Sequence, residues 1–371
     1  MNSLNQIKIR EFHINQFPTD RIFISLNESF HRELFSMINI KNYENLNKST
    51  FKQWKNRRHF IPLWVIIKLQ ETSPYSIEDF ERNIIAYKGP STSAVIDNPC
   101  LPLLEDERLL RAVAHLLGDG FVGGGFGSKL PQGKQHSEFR NFAPELLDSF
   151  HRDLSVFGNV PVTKNYQHGS LVIPNSIGYI LCHLYRIKFD TFNSRVPEVF
   201  FNLPKELVAQ FLRAFADDEA HVFDSSIEYY SCNKDLLQDV LSLMNSHFPE
   251  IKTSGIKANI KAGRNTKYSF SVYSKSQELY LNHIGFDHNQ KTKDLTFNLS
   301  RNKNRKYNKN SRDIILDLLA NNTLSAKELS RITNITHVQV LAYLKELKEQ
   351  RKVKIIEKVH WANRWTSKLS Q

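Results

Sequence analysis

Apolar positions recur at helical spacing in two stretches about 100 residues apart, RLLRAVAHLLGDG at 108–120 and QFLRAFADDEA at 210–220. The sequence downstream of each stretch is similar. A short alternating run typical of a hairpin comes first, clearest in HVFDSSIEYY, where Asp224 and Ser225 supply turn material. An amphipathic helix comes next, in FRNFAPELLDSFHRDLSVFG after the first stretch and YYSCNKDLLQDVLSLMNSHF after the second. In these, Glu145-Leu146-Leu147-Asp148 matches Asp235-Leu236-Leu237-Gln238. More strand-like sequence, GSLVIP or KYSFSVY, leads to a final helix, and each half closes on a related phrase, RIKFD at 186–190 and HIGFD at 283–287. The offset exceeds the period of solenoid repeats, so the pattern predicts two pseudosymmetric halves, 103–205 and 206–297. Helices alternating with short antiparallel strands predict an α+β fold.

The flanks read differently. Residues 1–90 carry mainly helical patterns, with a helix-turn-helix-like order in SFHRELFSMINIKNYENLNKSTFKQWKNRRHFIPLWVIIKLQ. Its second helix, after Ser49, carries Lys52, Lys55, Arg57 and Arg58, and Pro62 starts another apolar helix. GPSTSAVIDNPCLP (89–102) reads as a linker. Residues 311–371 predict three helices and an alternating hairpin, RKVKIIEKVHWANRWTSKL, the order of a winged helix-turn-helix whose third helix would enter a DNA major groove.

Charge narrows the function classes. Lys and Arg total 50 against 38 Asp and Glu, a formal charge of +12. Between Lys291 and Arg312 eight Lys or Arg face a single acid, Asp294, in sequence rich in Asn and Ser. That run predicts an exposed basic linker at 298–310, and its place between two modules points to nucleic acid, with Lys291, Arg301 and Lys303 as candidate contacts. Three scattered cysteines exclude a disulfide framework or a C-x-x-C zinc site. No stretch approaches the roughly 18 apolar residues of a membrane span, so the expectation is a soluble, cytoplasmic, multidomain protein. GGGFGSK (123–129) lacks the P-loop spacing, and the kinase-like His151-Arg152-Asp153-Leu154 has no accompanying nucleotide loop.

The paired stretches carry the chemistry. Ala114 and Gly118, at i and i+4, allow a second helix to approach closely. Each helix then delivers an acid at its C-terminal end, Asp119 and Glu219, where the helix dipole is already negative. Carboxylates there oppose folding and favour a divalent cation. The second copy has Asp217, Asp218 and Glu219 in a row. Successive helical residues point about 100° apart, so one or two of them can face a shared ion. Glu219 aligns with Asp119, and Asp218 stands as the competing ligand. His115 reads as an interface residue. Ala220 replaces the closing Gly120; a left-handed helix end would cost Ala about 1–2 kcal/mol, so the second helix is expected to end differently.

AVAHLLGDG (112–120) and LRAFADDEA (212–220) resemble the nine-residue signature of LAGLIDADG homing endonucleases, in the two-motif single-chain form. The phrases RVPEVFFNLPKELVAQFLRAFADDEA and HIGFDHNQKTKDL are similar to those of archaeal and intein-type members. The resemblance covers 103–297 and implies two αββαββα halves whose antiparallel sheets form a saddle on double-stranded DNA. It implies a monomer that hydrolyses phosphodiester bonds of a long asymmetric site, as in intron homing, with Mg²⁺ (or Mn²⁺) at Asp119 and Glu219. Matching saddle positions include Lys129, Lys134 and Arg140 in half one and Lys257, Lys261, Arg264 and Lys267 in half two. Lys267 and Lys291 are candidates for the lysine that such sites commonly hold. Two alternatives stay open: a non-cleaving DNA-binding regulator on the same fold, favoured by Ala220 and Asp218, and an RNA maturase acting on an intron.

Overall fold

The computed structural model describes residues 9–37, 47–90, 94–123, 136–260, 265–303, 311–359 and 362–367. Its architecture is α+β, with small antiparallel sheets covered by helices. Half one runs from helix Glu107–Gly118 through strands Gly120–Phe121 and Ser137–Arg140, helix Pro144–Asp153, strands Thr163–Asn165 and Ser170–Ile173, to helix Asn175–Tyr185. Half two repeats this with helix Lys205–Glu219, strands Ala220–Val222 and Ser226–Ser231, helix Lys234–His247, strands Lys257–Asn259 and Lys267–Tyr273, and helix Gln277–His283. In both sheets the strand order is first, second, fourth, third. The registers agree as well: Gly120 lies opposite Phe139 and Ala220 opposite Tyr229.

The reasons are local. Asp106 and Asn233 accept N–H bonds from the first turns of their helices, each satisfying donors that have no partner inside the helix. Alternation then turns one face of each strand inward, burying Phe139 and Leu171 in one sheet and Ile227, Tyr229, Phe270 and Val272 in the other.

Two departures from the sequence reading concern the flanks. The N-terminal region has helices Glu28–Met37, Lys48–Lys55, Leu63–Thr72 and Ile77–Asn83, but it also forms a four-stranded antiparallel sheet. The order is Ile61–Pro62, Phe23–Leu26, Ile84–Lys88, Val95–Asp97. Strands of two to five residues leave too little alternation to stand out beside helical patterns. Residues 38–46, the expected turn, lie outside the described residues. Lys52, Lys55, Arg57 and Arg58 are exposed, while Phe51 and Trp54 are buried. The expected linker at 89–102 supplies the edge strand Val95–Asp97, and Asp97 bridges to Asn159 of half one. This region therefore shares one continuous core with both halves.

The second departure is the basic run. Helix Asn289–Lys303 carries its first part, and buried Leu295 and Asn298 seat that helix against half two. Beyond it, helices Ser311–Asn321, Ala326–Thr333 and His337–Glu349 pack with a three-stranded sheet around their own small core, including Leu319, Leu329, Leu344 and Trp365. Among the described residues no helix is long and apolar enough to cross a membrane.

The close approach of the two motif helices is set by Gly118: a Cβ built there would stand 2.9 Å from Cβ of Asp218. Gly118→Val is expected to destabilise the protein by about 1–3 kcal/mol, the usual cost of overpacking, measured as a lower denaturant midpoint with unchanged slope.

Candidate active site

The motif helices end side by side, and their endings differ. Asp119 caps the first, and its carbonyl accepts the backbone N–H of Arg140. Gly120 is required there for space, because a Cβ would lie 2.3 Å from Cα of Leu116. The second helix passes straight into strand Ala220–Val222, with Ala220 extended at φ −104°, ψ 149°. No left-handed residue is needed, so the alanine carries no backbone strain.

Four carboxyl groups gather at these ends, and they are not equivalent. Asp217 is buried and accepts the backbone N–H groups of Asp287 (3.1 Å) and His288 (2.9 Å). Burial still pushes its pKa up to about 6. Asp218, the competing ligand of the sequence reading, lies in the helix interface with its side chain fully buried. One oxygen is 2.9 Å from Nδ1 of His115 and the other accepts from Asn141 at 3.2 Å. Burial and the neighbouring Asp217 raise its pKa well above the usual carboxylate range. His115 is itself buried, which lowers its pKa to about 4. Its ring packs against Phe139 and Phe150, and it contributes to the interface.

Asp119 and Glu219 line the same cavity, of about 270 Å³, with Asp190, Ser231, Cys232 and Lys267. Burial and the charge of Asp218 raise Asp119 to about 7. Burial, Asp119 and Asp218 raise Glu219 well above its ordinary value. Lys291 and Lys267 oppose this for Glu219. Lys291 donates to the carbonyls of Ala216 (3.0 Å) and Asp217 (2.5 Å), completing the second helix end. Its own pKa is lowered by burial, against the pull of all four carboxyl groups. Crowded, buried oxygen donors fit a hard divalent cation, whose charge would offset the burial and mutual repulsion that raise their pKa values. Asp119 and Glu219 would supply the ligands. Among the described residues no group of three or more His, Cys, Asp or Glu side chains converges on a metal position.

A second cavity, about 700 Å³, flanks Asp119 on the other side, lined by Arg140, Asn141, Glu145, His168 and His288. The matching registers make the two cavities counterparts: Arg140 and Asn141 correspond to Tyr230 and Ser231, and His168 to Lys267. The site is thus pseudosymmetric in backbone and asymmetric in chemistry.

Of the basic positions named from the sequence, Arg140, Lys257 and Lys267 are exposed on the sheets, Arg140 beside Glu138 at 2.7 Å. Lys291 sits among the carboxylates. Arg301 is buried and paired with Asp224 at 2.9 Å, so its guanidinium faces protein and not a ligand. Lys303 lies in the last turn of its helix, and Lys129, Lys134, Lys261 and Arg264 lie outside the described residues. Asn141, His288, Arg111 and Asp287 were not legible as site residues. Asp287 ends the HIGFD phrase, a signal that reads as repeat punctuation; in the fold it pairs with Arg111 at 2.5 Å.

No family model matches the chain. It is 26% identical over 197 residues to the DNA polymerase II large subunit of Thermococcus kodakarensis, covering 52% of this chain and 10% of that protein. It is 26% identical over 123 residues to the probable translation initiation factor IF-2 of Methanocaldococcus jannaschii, covering 31% of this chain and 11% of that protein. The chain thus spans about a tenth of the length of these curated relatives. Among solved structures it is similar to the homing endonuclease I-DmoI in complex with DNA and Mn, at 16% identity and TM-score 0.32, covering 48% of this chain and 98% of that one. It is also similar to the N-terminal LAGLIDADG domain of DUF199/WhiA, at 17% identity and TM-score 0.31, covering 50% and 86%. Structural similarity to LAGLIDADG proteins therefore extends over about half the chain.

The raised Asp119 carboxyl couples stability to pH. A folded-state pKa above the unfolded value contributes stability that is complete below the unfolded pKa and is lost as pH rises through the folded one. With chelator present, the Asp119 contribution should fade from about pH 4 to about pH 7. Melting temperatures of wild type and Asp119→Asn measured across that range isolate the effect: their difference should shift in favour of the variant as pH rises. Added Mg²⁺ at pH 8 should raise the wild-type value and leave Asp119→Asn nearly unchanged.

Proposed function

We propose that the chain is a metal-dependent, site-specific endonuclease of duplex DNA, of the homing type, with Asp119 and Glu219 as the catalytic carboxylates. The observation that carries this reading is their convergence on one cavity at the ends of two packed helices, short of positive charge and flanked by two sheets of matching topology. A bound divalent cation would supply water of lowered pKa and charge to stabilise the leaving 3′ oxygen. The chain's own groups have distinct tasks. Asn141 donates to both Asp119 and Asp218, which holds the Asp119 carboxylate in place. Lys291 offsets the carboxylate charge from within, and Lys267, at the cavity mouth, is positioned to meet a phosphate. The exposed sheet residues Arg140, Lys257 and Lys267 would follow the backbone or donate to guanine edges.

A non-cleaving regulator draws little support from the residues first counted for it. Ala220 fits without strain, and Asp218 is accommodated by His115 and Asn141. The test is cleavage of a plasmid library of randomised sites at low salt. Wild type should make discrete double-strand cuts with Mg²⁺ or Mn²⁺ and none with EDTA. Asp119→Asn and Glu219→Gln should each slow cutting by a factor on the order of 100 or more while keeping salt-dependent duplex binding. Selection of one sequence without cutting it, or preference for folded intron RNA over duplex, would overturn the proposal.

A further inference from the structure

The helix Asn289–Lys303 touches two places that the sequence separates. At its first turn Lys291 reaches the carbonyls of Ala216 and Asp217 beside the catalytic carboxylates. The segment leading into it is pinned there: Asp217 accepts the N–H groups of Asp287 and His288, and Arg111 pairs with the Asp287 carboxylate. One turn further along, the same helix carries Asp294, which meets a different set of partners. Its carboxylate accepts Lys327 and Arg331 of the C-terminal module, each at 2.5 Å, and also the side chain of Gln290 at 2.9 Å. The grip continues past that point. Asn298 donates to the carbonyl of Phe223, and Arg301 pairs with Asp224 at the hairpin tip of half two. That same Asp224 carboxylate accepts the first N–H of helix His337–Glu349, where the helix dipole favours an anion.

Asp294 keeps 12% of its side-chain surface exposed, Asp224 15% and Arg301 2%. The Arg301–Asp224 pair is therefore screened far less than a surface salt bridge, while the Asp294 pairs are partly screened because Lys327 and Arg331 are 53% and 39% exposed; removing either cation still leaves the Asp294 charge mostly buried. A rise of 1.5 Å per residue puts Lys291 and Asp294 about 4.5 Å apart along the axis. A shift of the helix at Asp294 is thus felt at Lys291.

We propose that Asp294 is a positioning residue for Lys291: by pairing with Lys327 and Arg331 it lets the C-terminal module hold the helix that delivers Lys291 to the carboxylates. Cleavage then depends on a module that contributes no group to the active site. The proposal rests on the endonuclease reading for its consequence in catalysis, and on geometry alone for the coupling itself.

The experiment uses the full chain and two readouts. The first is acylation of Lys291 by a small amine-reactive ester without DNA, read by peptide mass spectrometry with Lys293 as internal control. The second is the single-turnover cleavage rate at saturating duplex. Asp294→Asn, and separately Lys327→Ala with Arg331→Ala, should raise Lys291 labelling and slow cleavage by about tenfold, the scale of a typical coupling. The triple charge swap Asp294→Lys, Lys327→Asp and Arg331→Asp should return both towards wild type. Asp294→Asn also frees Lys327 and Arg331 for phosphates, so slower cleavage with equal or tighter duplex binding supports coupling over a direct DNA role. Unchanged Lys291 labelling in folded Asp294→Asn or Lys327→Ala/Arg331→Ala protein overturns the proposal, as does a charge swap that restores neither readout. A wild type that never cleaves overturns the endonuclease reading only; the labelling result still decides the coupling.

Discussion

Close contact between helices Glu107–Gly118 and Lys205–Glu219 is the constraint on which the rest of the structure depends. It requires a residue without a side chain, Gly118, against Cβ of Asp218, and small buried residues such as Ala114 and Ala214 along the seam. The same contact gathers four carboxyl groups where two helix dipoles are also negative. Each is handled differently. Asp217 is satisfied by backbone N–H groups, Asp218 by His115 and Asn141, and Lys291 supplies a cation at the second helix end. Asp119 and Glu219 keep the least compensation. Burial first, and the neighbouring carboxylates second, raise the pKa values of Asp119 and Glu219.

Pseudosymmetry explains the backbone of the site and little of its chemistry. The sheets agree in order and register, yet equivalent positions hold Lys267 and His168, Ser231 and Asn141, Tyr230 and Arg140. The chain also leaves the two halves differently. After Asp190 it turns back towards the second motif helix, whereas after Asp287 it continues into Asn289–Lys303. The second exit brings Lys291 into the centre, and among the described residues no counterpart returns from the first. The two cavities therefore differ in the groups that line them.

Much of this was legible in the chain. The repeated AVAHLLGDG and LRAFADDEA phrases, the hairpin after each and the amphipathic helices beyond them are set by interactions within a few residues, and such patterns survive in one dimension. Their duplication also puts Asp119 and Glu219, which line one cavity, at matching positions. The short N-terminal strands escaped for the corresponding reason: Phe23–Leu26 and Ile61–Pro62 become strands only by pairing with partners distant in sequence.

The sequence by itself determined the repeat, the order of elements within each half and the presence of an acid at each helix end. Tertiary structure alone decided what each charged residue does. Asp217, Asp218 and Glu219 are adjacent and alike in one dimension, but one anchors a backbone segment, one fills a helix interface and one lines the cavity. Arg301 and Lys291 belong to one basic run, yet the first is spent on Asp224 and the second on a helix end beside the carboxylates. The physical reason is that a charge acquires its role from its partners and its desolvation. Here those partners lie 70 to 103 residues away along the chain, where local pattern carries no information.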